Sequence, residues 1–264
     1  MNHSLLLLRP SEQAHELAKM LQQRASKLNL TFSCTNKSMV KISSFDDPNH
    51  SLRGILQQKW DAAMMVSVNA ANYFAQQARA WAPSCAMPAA RWYAVGPTSA
   101  AAIARVVGRP VCCPWRQHNS DALLALPELS KVRGQRWLLV RGHGGRELVA
   151  DTLRARGAEV AYLEVYQRTP EPLSEAEYAT WQQQINGIVV TSAEQLGYFL
   201  AAVPKQALSW LSQCYWIVAS ERLKQLLPPA LQQMAVVAHS ATPFAIVDAW
   251  QHILDQQHAH KERS

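Results

Sequence analysis

The stretch Leu5-Leu6-Leu7-Leu8-Arg9 decides the fold class, because a second copy of it occurs at Leu138-Leu139-Val140-Arg141. In both places a short apolar run precedes a segment with helical spacing of apolar residues, Ala18-Lys19-Met20-Leu21 in the first and Ala150-Asp151-Thr152-Leu153 in the second. Short apolar runs predict buried strands, and the spacing predicts helices. Each copy therefore indicates a strand followed by a helix, which is the unit of a parallel sheet.

Two further pairs of segments extend this repeat. Met65-Val66-Ser67-Val68-Asn69-Ala70 resembles Val189-Val190-Thr191-Ser192-Ala193-Glu194, and both place a hydroxyl at the end of a strand. Trp92 to Ser99 resembles Trp216 to Glu221 more loosely. Because the same order of signals occurs twice, we predict an internal duplication and two α/β lobes.

Short apolar runs alternate with helical patterns along most of the chain. The predicted helices are Glu12 to Leu21, Ser99 to Val107 and Arg146 to Arg156. Polar or proline-rich segments at Thr35 to Ser38 and at Thr169-Pro170-Glu171-Pro172 predict where the chain crosses between lobes. The predicted strands are Leu5 to Leu8, Met64 to Val66, Trp92 to Val95, Trp137 to Val140, Ile188 to Val190 and Tyr215 to Val218.

The composition is that of a folded, water-soluble protein. The chain has 264 residues, of which 48% are hydrophobic and 17% charged, so two domains of ordinary size are expected. No apolar run approaches the roughly 20 residues of a membrane-spanning helix, so we expect no membrane association. Five cysteines without a CxxC pair fit free thiols in the cytoplasm and predict no metal site.

The net charge of +7 predicts a polyanionic partner. The basic residues form no run, and no helix-turn-helix or RNA-binding aromatic motif occurs, so nucleic acid is not expected. An acidic small molecule bound in a cleft is the favoured interpretation.

Polar residues follow several predicted strands, where ligands of parallel sheets gather and where helix N-termini present free N–H groups. Helix capping alone explains any one of these side chains equally well. Their occurrence at equivalent turns of both lobes favours a shared anion site. The residues are Ser67, Asn69, Thr98, Ser99, Thr191 and Ser192.

The glycine-rich segment after Val140 contains two more candidates. A dinucleotide-binding motif is excluded, because Glu147 stands where the third glycine of GxGxxG belongs. Arg141 and Arg146 can offer paired hydrogen bonds to carboxylates, although solvated surface arginines are the simpler alternative. His143 belongs to no Ser-His-Asp or Cys-His arrangement.

Tyr166 ends a strand-like run, Leu163-Glu164-Val165-Tyr166, just before the proline-rich crossing. A tyrosine there can donate a proton or a hydrogen bond to a leaving hydroxyl. Core or hinge packing is the alternative that the residues alone favour.

In combination these segments resemble the uroporphyrinogen-III synthase family over nearly the whole chain. No single piece is decisive, but their order and spacing are specific. The segments are Arg9-Pro10 after the first strand, Val66 to Ala70, Ala94-Val95-Gly96-Pro97-Thr98-Ser99-Ala100, Val140-Arg141-Gly142 through Leu148, Val165-Tyr166-Gln167-Arg168 and Val190-Thr191-Ser192-Ala193.

The resemblance implies two flavodoxin-like or Rossmann-like parallel-sheet lobes joined by a two-stranded extended linker. The first lobe would be discontinuous, formed by residues 1–37 and 170–264, with residues 38–169 inserted as the second lobe. The resemblance adds Arg9 and Gly96 to the substrate-binding set and gives Tyr166 the catalytic role. Two segments depart from the family pattern, Ser38 to Ile42 at the first crossing and Ala219 to Arg222 in the second half.

The implied substrate is hydroxymethylbilane, whose many carboxylates account for the positive charge. The implied reaction is ring closure to uroporphyrinogen III with loss of water and inversion of ring D, without metal, nucleotide or other cofactor. We further expect a cytoplasmic monomer, with transient contact to hydroxymethylbilane synthase as a partner to consider. The competing hypotheses are a non-catalytic two-lobed protein that binds an anionic small molecule and, with less support, a nucleotide-dependent enzyme.

Overall fold

The computed structural model describes residues 2–46, 52–81, 83 and 86–261. The strands are β1 (Asn2–Leu8), β2 (Thr31–Asn36), β3 (Val40–Ser44), β4 (Ala62–Met65), β5 (Arg91–Tyr93), β6 (Val111–Cys112), β7 (Arg136–Gly142), β8 (Glu159–Pro170), β9 (Gly187–Val190), β10 (Tyr215–Val218) and β11 (Ala235–Val237). The helices are α1 (Ser11–Lys27), α2 (Leu52–Gln57), α3 (Val68–Trp81), α4 (Pro97–Val107), α5 (Ser120–Leu124), α6 (Leu148–Ala155), α7 (Glu175–Gln184), α8 (Ala193–Ala202), α9 (Leu208–Leu211), α10 (Glu221–Gln225), α11 (Pro229–Gln232) and α12 (Pro243–Lys261), with short 3-10 turns at Pro127–Ser130 and Lys205–Ala207.

In the described part of the chain the strands form two sheets. One has the order β11-β10-β9-β1-β2, and the other has the order β3-β8-β7-β4-β5-β6. The strands of the first sheet pair in parallel, as do β4 to β8 of the second. The predicted α/β class with parallel sheets is therefore confirmed.

The chain divides into two compact units, each built around one sheet. Unit 1 comprises Met1–Lys41 and Thr169–Ser264, and unit 2 comprises Ile42–Arg168. The chain thus leaves unit 1 within β3 and returns within β8, two strands that are neighbours in one sheet. Our assignment of residues 1–37 and 170–264 to one lobe, and of residues 38–169 to a second, inserted lobe, stays a prediction.

The two sheets have the same strand arrangement. Read from the β2 side, sheet 1 is β2-β1-β9-β10-β11, and sheet 2 after its first strand is β8-β7-β4-β5-β6. The sequence pairs noted above occupy matching positions: β1 corresponds to β7, β9 to β4 and β10 to β5. The repeat in the sequence is therefore also a repeat of sheet topology.

Both sheets are covered on both faces, as parallel sheets require. Along β1, Leu6 and Leu8 pack into one hydrophobic cluster while Leu5 and Leu7 pack into another, and all four are fully buried. In β7 the residues alternate in the same way, with Leu138 in one cluster and Leu139 in the other. This two-sided burial explains why these strands read as continuous apolar runs.

Several predictions about local structure need correction. Thr35 and Asn36, predicted as part of a linker, lie in β2, where Phe32 and Cys34 pack against the core although the strand is otherwise polar. The helix predicted from Arg146 begins at Leu148, because Gly144 has a positive φ of 68° and the chain turns there. The strand predicted at Met64 to Val66 begins earlier and ends at Met65, and the strand predicted at Trp92 to Val95 begins at Arg91 and ends at Tyr93.

Buried glutamines hold the crossing segments to each unit. In unit 2 the Gln77 amide donates to the carbonyl oxygens of Phe45, at 2.8 Å, and Val165, at 3.0 Å. In unit 1 the Gln195 side chain accepts from the Met39 N–H at 2.6 Å. Gln77 thus holds both crossing segments to unit 2, and Gln195 holds the first crossing segment to unit 1.

Two other observations concern the described residues. Cys34, Cys112, Cys113 and Cys214 are free thiols, and Cys85 lies outside the described residues. None of the described helices combines the length and the apolar character that crossing a membrane requires.

Candidate functional site

The turns that follow the strands of unit 2 lie along one edge of its sheet. Because β4, β5, β6 and β7 are parallel, their carboxyl ends share this edge. We call it the carboxyl edge of unit 2. In α/β proteins such edges bind ligands, since helix N-termini point their free N–H groups there.

Tyr166 lies beside this edge, on β8, with 5% of its surface exposed. Its hydroxyl is 3.4 Å from the Oγ of Ser67, which follows β4. Its ring stacks on Tyr73 of α3, with ring centroids 5.9 Å apart. The structure thus brings together Ser67 and Tyr166, two predicted site residues that are 99 positions apart in sequence.

Ser67 has two roles in this arrangement. Its Oγ accepts a hydrogen bond from the Ala70 N–H at 3.1 Å, which satisfies an otherwise free N–H at the start of α3. The capping alternative considered for this residue is therefore correct, but capping also fixes the Ser67 Oγ next to the Tyr166 hydroxyl. An oxygen that is held by a helix start is a pre-positioned partner for that hydroxyl.

A bulge in β8, opposite the end of β7, sets the position of Tyr166. The register between β7 and β8 shifts between Arg141 and Gly142, so that Gly142 pairs with Tyr166. The N–H of His143 donates to the carbonyl oxygen of Tyr166 at 2.7 Å. Bulges often redirect a side chain next to a functional site, and this one places Tyr166 against Gly142.

Arg141 is buried and engaged by acidic residues of its own unit. Its guanidinium pairs with Glu147 at 2.7 Å and with Glu164 at 3.3 Å, and it donates to the Gly145 carbonyl oxygen at 3.1 Å. It also lies 4.3 Å from the centre of the Tyr162 ring. These contacts join the turn after β7 to strand β8, so the structure gives Arg141 a positioning role, and direct binding of substrate by Arg141 stays a prediction.

The acidic partner of this arginine is itself stabilised as a carboxylate. Tyr162 donates a hydrogen bond to Glu147, and together with the bond from Arg141 this lowers the pKa of Glu147. Burial, followed by the hydrogen bond to Glu147, raises the pKa of Tyr162. The ion pair between Arg141 and Glu147 is therefore present at neutral pH.

Arg146 and His143 occupy the outer part of the same turn. Arg146 is exposed and forms no ion pair among the described residues, so its charge is available to solvent or to a ligand. The His143 Nδ1 lies 2.7 Å from Glu164, and its ring stacks on Phe45 with centroids 4.4 Å apart. His143 thus helps to order the turn, while Arg146 is the better candidate for contact with an anion.

The turn after β5 contains three predicted residues. Gly96 precedes α4 as its N-cap and has no side chain to cap the helix, so the first N–H groups of α4 have no side-chain partner from that position. Thr98 is exposed and Ser99 partly exposed in the first turn of α4. Asn69 is partly exposed at the corresponding position of α3. Two helix N-termini with polar side chains therefore lie on the carboxyl edge of unit 2.

Unit 1 has its own carboxyl edge, where the remaining predicted residues lie. Thr191 and Ser192 follow β9 and are partly exposed, and Ser192 is the N-cap of α8 without a side-chain capping bond. In this respect they differ from Ser67, whose oxygen is occupied by capping. Their hydroxyls remain candidates for binding.

Arg9 follows β1 in unit 1 and is only 5% exposed. Its Nη2 donates to the carbonyl oxygen of Ala241 at 3.1 Å, whereas its Nε and Nη1 have no hydrogen-bond partner among the described residues. Burial lowers the pKa of Arg9, and Glu16 partly offsets this effect. Unsatisfied buried donors are unusual and are consistent with a role in binding, which stays a prediction for Arg9.

Several residues of this arrangement were not identified from the sequence. They are Tyr73 beside Tyr166, Phe45 beside His143, and Glu164 beside Arg141. Folding brings these pairs together from separate parts of the sequence, and no local motif marks the three residues. Among the described residues no group of three His, Cys, Asp or Glu side chains converges as around a metal ion. The predicted residues on the carboxyl edge of unit 2 provide hydroxyls, backbone N–H groups and arginines.

Comparison with known proteins identifies similar sequences. A family model described as uroporphyrinogen-III synthase HemD matches residues 32–248. The uroporphyrinogen-III synthase of Escherichia coli K12 is 40% identical over 163 residues, 61% of this chain and 66% of that protein. The enzyme of the same name from Salmonella typhimurium LT2 is 40% identical over 166 residues, 62% of this chain and 68% of that protein. The matched segment thus spans about two thirds of the length of these relatives.

Solved structures show the same fold at low sequence identity. A mutant uroporphyrinogen III synthase from the extremely thermophilic bacterium Thermus thermophilus aligns with a TM-score of 0.56 and 16% identity, over 96% of this chain and 99% of that chain. The uroporphyrinogen-III synthetase of Helicobacter pylori 26695 aligns with a TM-score of 0.56 and 11% identity, over 96% of this chain and 100% of that chain. The likeness to these two structures concerns the fold.

Proposed function

The chain belongs to the uroporphyrinogen-III synthase family, and from that premise we propose that it is a lyase that converts hydroxymethylbilane into uroporphyrinogen III. The reaction closes a linear tetrapyrrole into a ring, releases water and inverts the last pyrrole, and it belongs to haem and sirohaem biosynthesis. Family membership supports this reaction, and the geometry of unit 2 supports our choice of the groups that carry it.

The observation that carries the residue assignment is the 3.4 Å contact between the Tyr166 hydroxyl and Ser67 Oγ beside the carboxyl edge. A phenol can donate a proton, and a serine hydroxyl can accept or donate in support of it. Both groups are attached to rigid elements, a strand and a capped helix start, which is the condition for useful positioning.

In the first step Tyr166 would donate its proton to the hydroxyl of the substrate. The bond from carbon to that oxygen breaks, water leaves, and the electron pair of the adjacent pyrrole nitrogen, which keeps its hydrogen, gives the azafulvenium cation beside the phenolate. The proton that later leaves the ring carbon on return to aromaticity restores the phenol. The enzyme therefore ends in its starting state, and no external oxidant or reductant enters the balance.

The choice of product is a matter of positioning. Direct joining of the two ends gives the symmetric isomer, whereas attack through the substituted carbon of the last ring gives a spiro intermediate, which opens and recloses with that ring reversed. The enzyme must hold the chain in the shape that favours the second attack. Because the substrate has many carboxylates, the helix starts at Gly96 and Ser192 and the arginines Arg9 and Arg146 are suitable binding groups.

Four further elements of the proposal concern the setting of the reaction. We place the enzyme in the cytoplasm as a monomer, with hydroxymethylbilane as its substrate and with transient contact to hydroxymethylbilane synthase as the source of that substrate. The net charge of +7 supports a polycarboxylate as the ligand. Sedimentation of the protein alone and in mixture with the synthase tests the monomeric state and the contact.

The test is incubation of the purified protein with freshly prepared hydroxymethylbilane, followed by oxidation and chromatographic separation of the uroporphyrin isomers. We expect the type III isomer in excess over the type I isomer at rates above the uncatalysed reaction. Binding of hydroxymethylbilane without any type III product would instead support the alternative of a non-catalytic anion-binding protein.

A further inference from the structure

Trp115 is the most exposed large hydrophobic side chain of those described, with 92% of its surface accessible. Seven other tryptophans are core residues, including Trp92 and Trp137, each 1% exposed. The preceding residue, Pro114, is buried and fixes the turn from which Trp115 projects. Packing within the fold therefore does not account for an indole at this position.

The location of Trp115 links it to the candidate site. It lies in the turn after β6, which is parallel to β5, so this turn belongs to the carboxyl edge of unit 2. The same turn packs against the start of α4, because a β-carbon at Gly96 would lie 3.0 Å from the His118 Cβ. Trp115 is thus on the edge that also presents Thr98 and Ser67.

The turns that follow β4, β5 and β6 contain no acidic residue, and the turn that contains Trp115 adds the positive charge of Arg116. Between Asp61 and Asp121 the sequence has no Asp or Glu and no Lys, but it contains five arginines. This segment includes β4, β5 and β6 and the turns that follow them. Arg116, which is exposed, stands directly beside Trp115. Arg79, Arg91, Arg105 and Arg109 lie in last helical turns or at or before the start of a strand, so Arg116 is the one of the five that stands on the carboxyl edge.

We propose that Trp115 is a substrate-positioning residue whose indole stacks on a pyrrole ring of the tetrapyrrole chain, with Arg116 pairing with a carboxylate of that chain. The inference rests on the proposed function and names a binding element that the family resemblance did not supply. An indole offers a large, rigid face to a planar aromatic ring at a small entropic cost, because it has two rotatable bonds. A ring held there restricts the shapes that the flexible chain can adopt before closure.

The test compares Trp115→Ala and Trp115→Phe with the wild-type protein in steady-state kinetics with hydroxymethylbilane. We expect Trp115→Ala to raise KM about fivefold, the range of an aromatic stacking contact, while kcat stays within about twofold because the residue does not touch the reacting bond. Trp115→Phe should recover most of the loss, since it keeps an aromatic face. An exposed side chain contributes little to stability, so all variants should fold.

The matched control is Trp81→Ala. Trp81 is 46% exposed and lies at the last residue of α3, the opposite end from the turn that contains Ser67. We expect the KM of the Trp81→Ala variant to equal that of the wild type. If Trp115→Ala has the wild-type KM while the wild type forms the type III isomer, the stacking inference is wrong and the proposed function stands. If the wild type forms no type III isomer, both are wrong.

Discussion

The ring of Tyr166 lies directly against the α-carbon of Gly142, where a β-carbon would come within 2.6 Å of two ring atoms. The contact occurs at the bulge that shifts the register between β7 and β8. Only glycine leaves room for the ring at this point, so the glycine-rich turn serves the position of Tyr166 in the proposed site. Glycine is commonly required either where φ is positive or where another group approaches the backbone closely. The second reason applies at Gly142.

We predict that Tyr166→Phe lowers kcat for the consumption of hydroxymethylbilane by about a hundredfold, the lower end of the effect of general acids. The lower end is expected because the substrate hydroxyl also leaves without the enzyme. Rapid-quench measurement of turnover at saturating substrate checks this. Tyr178→Phe, in unit 1, is the control with unchanged turnover. A Tyr166→Phe variant with wild-type kcat would remove the phenol from the mechanism.

Gly142→Ala should reproduce the loss of kcat without removing any functional group. The new β-carbon must displace the Tyr166 ring, and overpacking of this kind costs about 1–3 kcal/mol of unfolding free energy. Turnover and urea denaturation measure the two effects. Gly197→Ala is the matched control, because a β-carbon there meets nothing within 4 Å. Wild-type kcat in Gly142→Ala would show that the Tyr166 position is not critical.

Arg141→Leu should destabilise the protein by about 3 kcal/mol, because removal of one member of a buried ion pair leaves the other without compensation. The cost falls mainly on Glu164, whose side chain is 16% exposed, because solvent can compensate Glu147, whose side chain is 47% exposed. Chemical denaturation at pH 7 measures it, with the exposed Arg53→Leu as control. A change below about 0.5 kcal/mol, typical of surface substitutions, would contradict the positioning role.

Glu177→Gln should lower the unfolding free energy at pH 7 but not in acid. Glu177 pairs with Lys37 at 2.8 Å and accepts hydrogen bonds from Ser174, and these contacts lower its pKa to about 2. A carboxyl whose pKa is lower in the folded state stabilises the fold above its ordinary pKa, about 4.3, and this stabilisation is lost as the pH falls toward 2.

The expected difference at pH 7 is about 0.5 kcal/mol, because the Glu177 side chain is 39% exposed and solvent screens its ion pair. Glutamine keeps the capping bond to Ser174, so the substitution isolates the charge. Urea titrations between pH 7 and pH 3 should show the difference shrinking. Glu175→Gln, in the same helical turn, is the control. A difference that does not change with pH would contradict this account.

The sequence predicts those strands in which successive residues are all buried and therefore apolar. Leu5 to Leu8 and Tyr215 to Val218 are read as strands because both faces of each sheet are covered, and their positions are confirmed. Strand β2 was missed because its polar residues alternate with Phe32 and Cys34. Strand β6 has only two residues and offers no pattern.

For the site, sequence reasoning identifies residue types at strand ends but not their partners. It predicts Ser67 and Tyr166 separately, whereas their contact depends on the order β8-β7-β4 in the sheet. It treats Arg141 and Arg146 as equivalent. In the folded chain, however, Arg141 forms ion pairs with Glu147 and Glu164. Long-range pairing of this kind is a property of the fold and not of any local pattern.

The most direct measurement of the central claim is a crystal structure with uroporphyrinogen III bound. We expect a pyrrole of the product beside the carboxyl edge of unit 2, with the Tyr166 hydroxyl within about 3.5 Å of a product atom. Product bound away from that edge, with Tyr166 and Ser67 touching only each other, would contradict it.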